Sequence, residues 1–106
     1  MDWPNDSDGD VLRRLSAAGF AFDKPTLIDF NVDFEDWPPN QLAFNAISGT
    51  FPDATISPED GYVLVRLRRL VSYELVTSVQ SRLTALTASY GGRCDSWGVM
   101  QSPTSN

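Results

Sequence analysis

Histidine is absent from the 106-residue sequence, and cysteine occurs once, as Cys94. Histidine is the commonest general base of enzymes and the commonest zinc ligand, so catalysis would have to rely on carboxylates, hydroxyls or the single thiol. One cysteine also excludes a disulfide within the chain and a metal site built from several cysteines. We therefore expect a non-enzymatic protein with no metal and no other cofactor.

Long apolar runs are missing as well. No stretch approaches the roughly 18 apolar residues of a membrane-spanning helix. No basic segment followed by an apolar run leads the chain. The lone cysteine fits a reducing compartment. These features predict a soluble, cytoplasmic protein that makes no contact with a membrane.

Basic residues are few: 8 Lys and Arg stand against 14 Asp and Glu, for a formal net charge of −6. Residues 1–36 hold nine of the acids and three of the basic residues, so the whole negative excess lies in that part of the chain. An acidic surface disfavours direct binding to a nucleic-acid backbone and suits a basic partner. The alternative is that these acids serve only as solubilising groups and helix caps.

The periodicity of the apolar residues predicts one domain over residues 8–101, with flexible tails at 1–7 and 102–106. The predicted elements are, in order, a helix from residue 8, a strand over 28–35, a helix over 42–49, strands over 54–57 and 62–71, a helix that follows Ser72 and a strand over 93–100. This order indicates an α+β protein with a ferredoxin-like βαββαβ two-layer sandwich, preceded by one N-terminal helix. Its four-stranded antiparallel sheet should carry two helices on one face.

The first strand alternates between apolar and acidic residues. Its apolar side, which includes two phenylalanines, should face the helices, and Asp29 and Asp33 should lie on the open sheet face. Because the first and third strands of this fold run antiparallel, we expect the two acids to meet Arg66 and Arg68. Burial of the phenylalanines argues against an RNA-recognition surface. The predicted core comprises Phe30, Val32, Phe34, Val63, Val65, Leu67, Leu75, Val79, Leu83 and Leu86.

Other candidate motifs have simpler structural interpretations. The segment 6–10, of sequence DSDGD, places its glycine too early for a calcium-binding loop and lacks the bidentate glutamate. Its acids suit a helix start. Cys94 follows Arg93, but no partner base is visible, so a buried cysteine is the simpler interpretation. The pair Gly91-Gly92 predicts a helix end rather than a phosphate site.

Two segments resemble a known family. Residues 90–98, of sequence YGGRCDSWG, resemble the end of the ribonuclease E regulator B family, in which a helix leaves through Y-G-G into a strand bearing D-x-W-G. Residues 8–15, of sequence DGDVLRRL, together with the segment 19–30, are similar to the family's opening helix and first strand. The resemblance covers residues 8–101 and implies a ferredoxin-like fold. It also implies a bacterial protein that inhibits or modulates ribonuclease E by binding it, without catalysis or a cofactor.

We therefore predict a protein-binding regulator whose partner is a ribonuclease with a basic docking segment. We expect the regulator to be a monomer or a weak homodimer. The residues expected to bind the partner are Asp29, Asp33, Arg66, Arg68 and, if it lies on the open sheet face, Trp97. Two alternatives stay open at this point. The same fold could serve as an immunity-type or toxin-neutralising module, or it could bind a small molecule.

Overall fold

The computed structural model of the protein describes residues 3–99. Its elements are helix α1 (Ser7–Ala17), strand β1 (Thr26–Phe34), helix α2 (Gln41–Thr50), strands β2 (Thr55–Pro58) and β3 (Tyr62–Arg69), helix α3 (Tyr73–Thr87), a short 3-10 helix (Ala88–Tyr90) and strand β4 (Gly92–Val99). The tail predicted at 102–106 and the predicted end of the last strand at Met100 lie outside the described residues. None of the described helices combines the length and apolar character needed to cross a lipid bilayer.

The four strands form one antiparallel sheet in the order β2-β3-β1-β4. The chain crosses from β1 to β2 through α2 and from β3 to β4 through α3, so the connections leave β1 in the centre beside β3. Helix α3 packs on β4 and β1, and both α1 and α2 contact α3. This arrangement confirms the predicted ferredoxin-like two-layer fold with an additional N-terminal helix.

The core lies between the helices and one face of the sheet. Along β1, Ile28, Phe30 and Val32 are fully buried, and their neighbours on β3 across the strand pair are equally buried. The alternation of β1 is therefore confirmed, because every second side chain points to the helices. The buried apolar residues are Leu12, Ile28, Phe30, Val32, Phe34, Ala43, Ile47, Val63, Val65, Leu67, Val71, Val76, Val79, Leu83, Cys94 and Trp97.

Helix α3 buries only part of the expected stripe: Val79 and Leu83 are buried as predicted, whereas the two outer leucines are not. Leu75 is half-buried at the margin of the core, and Leu86 is not part of the buried cluster. Gln80 and Thr87 are buried instead. Their side chains donate hydrogen bonds to carbonyl oxygens one turn earlier, Gln80 at 3.1 Å and Thr87 at 2.7 Å, and these bonds offset part of the cost of burying polar groups. The apolar pattern of α3 therefore locates the helix and the middle of its inner face, but not the full extent of that face.

Contacts of the fold reach into the segment 1–7. Asp6 is the N-cap of α1, and its carboxylate accepts a hydrogen bond of 2.8 Å from the backbone N–H of Gly9. The ring of Trp3 lies 5.7 Å from that of Phe22, and Arg13 donates to the carbonyl oxygen of Trp3 at 2.9 Å. Helix α1 thus begins at Ser7, one residue earlier than expected, and the flexibility of this segment stays a prediction.

The end of α3 and the start of β4 require two glycines. Gly91 closes the 3-10 helix with φ +79°, in the left-handed region that favours glycine. A Cβ atom on Gly92 would lie 2.5 Å from the side chain of Thr87 and 2.9 Å from the ring of Phe34. The structural interpretation of this glycine pair is confirmed, because β4 can only approach the helix layer where no side chain intervenes.

Candidate functional site

The open sheet face carries one strong ion pair. Asp29 on β1 and Arg66 on β3 are directly opposite in the register, as expected. The guanidinium donates two hydrogen bonds to the carboxylate, from Nε to Oδ1 at 2.6 Å and from an Nη to Oδ2 at 3.2 Å. The bonds to Asp29 raise the pKa of Arg66. This bidentate pair ties the two central strands together, and each charge offsets the other.

The second expected pair does not form. Asp33 lies opposite Tyr62 on β3 and Arg93 on β4, whereas Arg68 lies opposite Leu27. The reason is the antiparallel register: moving forward along β1 from Asp29 to Asp33 moves backward along β3, away from Arg68. The sheet therefore separates Asp33 and Arg68 toward opposite ends, and both side chains are exposed.

Trp97 does not lie on the open face. It is 8% exposed, it pairs with Phe30 across β1 and β4, and its ring belongs to the core. The register of β1 and β4 shifts between Asn31 and Val32, which sets both Cys94 and Trp97 on the buried face although they are three residues apart. The anchoring role considered for Trp97 required an exposed ring, and the β-bulge removes that possibility.

Three acids at the start of α1 take part in contacts within the fold, and we call Asp6, Asp8 and Asp10 the inner acids. Asp8 accepts a hydrogen bond of 2.8 Å from the indole N–H of Trp97 and one of 3.1 Å from Gln80. Asp6 accepts a 2.6 Å bond from the hydroxyl of Tyr73 in addition to its capping bond. That hydroxyl is the main cause of the lowered pKa of Asp6, and the same bond raises the pKa of Tyr73. Asp10 forms an ion pair with Arg13.

Five further acids gather at one end of the sheet, and we call them the outer acids: Asp33, Glu35, Asp36, Glu59 and Asp60. They come from the end of β1 and from the turn between β2 and β3. The backbone N–H of Glu59 donates to the carbonyl oxygen of Tyr62 at 2.8 Å, and Tyr62 lies opposite Asp33, which brings the two segments together. All five are exposed, and within residues 3–99 none of them forms an ion pair.

A groove beside the outer acids was not anticipated. It has a volume of about 670 Å³ and lies between α2, the edge strand β2 and the loop that contains Trp37. The sequence W-P-P at 37–39 is typical of a turn, but a tryptophan in a loop is also a signal for a contact surface. Leu42, an apolar residue in the first turn of α2, is 56% exposed.

The thiol of Cys94 is not poised for chemistry. Cys94 is buried, as expected, and desolvation is the main cause that raises its pKa to about 12. The thiol therefore stays protonated near neutral pH, and a thiol is a poor nucleophile. In the part of the chain that the structure describes, His, Cys, Asp and Glu side chains form no group of three that could hold a metal ion.

Comparison with protein families gives one clear relationship. Residues 5–99 match the family model described as regulator of ribonuclease activity B. The match includes the segments at 8–15 and 90–98 that carry the resemblance seen in the sequence, and it also includes the outer acids and the groove. None of the curated proteins matches the chain at a significant level.

Proposed function

Because the chain belongs to the family described as regulator of ribonuclease activity B, we propose that it binds a ribonuclease of the ribonuclease E type and inhibits or modulates it. The observation that carries the proposal is the family match over residues 5–99, joined to the resemblance of residues 90–98 to ribonuclease E regulators. The family is one of regulatory proteins, and we extend this to a chain that acts without catalysis, in the bacterial cytoplasm where RNA is processed.

The outer acids support a basic docking segment as the target of this protein. They are exposed and lack ion pairs within residues 3–99, so their negative potential reaches the solvent. A basic partner would be attracted over about one Debye length, close to 10 Å at moderate salt. Among the residues predicted to bind the partner, Asp33 belongs to this group. Asp29 and Arg66 satisfy each other, so we assign them a smaller part in recruitment.

Binding of this kind would regulate a nuclease through its RNA contacts. A basic segment that guides RNA to an enzyme cannot hold an acidic protein and the phosphate backbone at the same place. Occupation by the regulator would compete with RNA or reposition the segment. The family match favours this function over the immunity-type and small-molecule alternatives. No feature of the candidate site within residues 3–99 supports either alternative.

The first experiment measures binding and inhibition with purified components. The chain is titrated with the ribonuclease E-type enzyme of the same organism, and cleavage of a labelled RNA is followed in parallel. We expect a complex whose affinity falls as salt rises, a cleavage rate that falls with the occupancy of that complex, and no cleavage by the chain alone. Absence of a complex at low salt, or cleavage by the chain that an acid-to-amide variant abolishes, would contradict the proposal.

The second experiment separates the two acids of β1. Asp33→Asn should slow association and flatten its salt dependence, because it removes an exposed charge without an ion pair within residues 3–99. Asp29→Asn should change association less, since the charge of Asp29 is already offset by Arg66. Asp23→Asn, in the exposed loop before β1, is the matched control for the loss of one negative charge. Equal effects of all three substitutions would show that net charge, rather than the outer acids, recruits the partner.

A further inference from the structure

The groove beside the outer acids is an open cleft at the edge of the sheet. Among residues 3–99, strand β2 is an edge strand that pairs with β3 alone, and its residues Ile56 and Pro58 line the cleft. Helix α2 forms the opposite wall, and the loop before α2 closes one end. The lining residues are Trp37, Pro38, Pro39, Gln41, Phe44, Asn45, Ser48, Ile56, Pro58 and Glu59. A volume of about 670 Å³ falls within the usual range of ligand-binding pockets.

Apolar and aromatic residues form part of the groove lining, and the largest of them are Trp37, Phe44 and Ile56. Trp37 is 40% exposed, while Phe44 and Ile56 are half-buried and pack on the core beneath. Tryptophan in an accessible pocket is the residue type most enriched among interface hot spots, because burying its ring removes a large apolar area from water. An exposed tryptophan that shares the groove with Phe44 and Ile56 therefore offers a contact surface for an apolar side chain of a partner.

The charge around the groove has one sign. Glu59 is the charged residue among the lining residues, which include no Lys or Arg. Glu35 and Asp36 directly precede Trp37, and Asp60 follows Glu59, so the exposed acids stand along the rim. On α2, Gln41 and Asn45 lie one turn apart on the wall and bond to each other at 3.2 Å, which leaves amide groups at hand for a peptide backbone. An occupant that suits both parts must combine apolar and basic side chains.

We propose that this groove binds a basic peptide segment of a partner protein, which inserts an apolar side chain beside Trp37 and sets Lys or Arg against the acidic rim. The inference rests on the proposed function in one respect: the segment is expected to belong to the regulated ribonuclease. Burial of the apolar side chain slows dissociation of the complex, and the negative charge of the rim speeds association. Docking therefore takes place on the helix side of the β2 edge, not on the open sheet face.

The test uses two probes on the full chain. The first is a displayed library of random peptides, selected on the wild-type protein, and the second is the intact ribonuclease. We expect selected peptides to be basic with an apolar residue among the basic ones. Their binding should shift the NMR signals of the Trp37 indole and of the Gln41 and Asn45 side-chain amides. Peptides without basic residues, peptides that shift the open sheet face instead, or failure to select any peptide would overturn the groove as a docking site.

Matched variants test which residues of the groove and its rim contribute to peptide binding. Trp37→Ala should weaken binding of the selected peptides by about tenfold or more. Leu70→Ala, which shortens an apolar residue of 52% exposure just after β3, should leave binding unchanged. Glu59→Lys should slow association and flatten its salt dependence, whereas Asp23→Lys makes the same charge change in the loop before β1 and should do less. Circular dichroism checks that each variant is folded. If Trp37→Ala is unfolded, the binding of Glu59→Lys still tests the proposal.

The intact ribonuclease separates this inference from the proposed function. If the enzyme binds the wild-type chain and loses affinity for Trp37→Ala and Glu59→Lys, both are supported. If the enzyme binds every variant equally, regulation stands and the groove is overturned as the site for that enzyme. If the enzyme does not bind the wild-type chain, the proposed function fails, and the selected peptides alone support or overturn the groove.

Discussion

The inner and the outer acids differ in what their carboxylates contact. Each group lies near a tryptophan, Trp97 for the inner acids and Trp37 for the outer acids. Trp97 is 8% exposed and donates its indole N–H to Asp8, whereas Trp37 is 40% exposed beside a groove. The inner acids cap a helix, join α1 to α3 and β4, and pair with Arg13. The outer acids have no ion pair within residues 3–99.

This difference shows that the acidic residues behind a negative net charge can be of two kinds: those that bond within the fold and those that are exposed to solvent. A carboxylate that accepts hydrogen bonds from partly buried donors stabilises the fold, and its charge is directed at those donors. A carboxylate in solvent contributes little to stability and keeps its charge for a partner. The net charge of −6 therefore overstates the charge available for binding, because the inner acids are already bonded to donors of the same chain.

The largest expected effect contrasts the two tryptophans. Trp97→Ala should lower the free energy of unfolding by about 3–5 kcal/mol, because it leaves a cavity in the core. Trp37→Ala should lower it by on the order of 1 kcal/mol, since much of that ring is already in water. Urea denaturation followed by circular dichroism measures both values. Equal losses would mean that the ring of Trp37 is part of the core and not of a docking surface.

A smaller effect is expected for the acid that bonds to Trp97. Asp8→Ala should lower the free energy of unfolding by about 1–3 kcal/mol, because the indole N–H loses its acceptor where water reaches it poorly. Asp36→Ala, an outer acid, should change it by less than about 0.5 kcal/mol. In a double-mutant cycle with Trp97→Phe, which removes the indole N–H, the cost of Asp8→Ala should shrink. An unchanged cost in the cycle would place the contribution of Asp8 elsewhere.

The smallest effect concerns pH and Asp6. The hydrogen bond from Tyr73 is the main cause that lowers the pKa of Asp6 in the folded protein. A lowered folded pKa means that Asp6 stabilises the fold above its unfolded pKa, about 3.9, and that this contribution is lost as pH falls through the folded pKa. Asp6→Asn should therefore make the acid decline in stability shallower below about pH 4.

Two further variants complete that measurement. Tyr73→Phe, which removes the donor, should reproduce part of the shallower decline, because the folded pKa of Asp6 then moves back toward its ordinary value. Asp23→Asn, an exposed acid that belongs to neither group, should leave the curve as in the wild type. Thermal unfolding across the acid range supplies the comparison. A Tyr73→Phe curve that overlays the wild type would show that the bond between Tyr73 and Asp6 does not couple folding to pH.

Most of the fold could be predicted because its signals are local. The alternation along β1, the Gly91-Gly92 stop and the cap at Ser72 each depend on residues close in sequence. The stripe of α3 could not be predicted in full, because the polar residues Gln80 and Thr87 are buried where hydrogen bonds, to their own helix and from Gln80 to Asp8, satisfy donors that an apolar pattern does not reveal. The candidate site was predicted in part: Asp29 does meet Arg66, but Asp33 and Arg68 are parted by the register.

The amino-acid sequence by itself determined the order of the elements, the buried side of β1 and the family, since periodicity and short motifs are properties of the chain before it folds. Only the tertiary structure decided which acids bond within the fold, which are exposed without an ion pair among residues 3–99, and where the two tryptophans lie. The contact of Asp8 with Trp97 joins residues 89 positions apart, and it depends on a β-bulge that shifts the register of β4. Such long-range contacts are selected by packing of the whole domain, which no local pattern encodes.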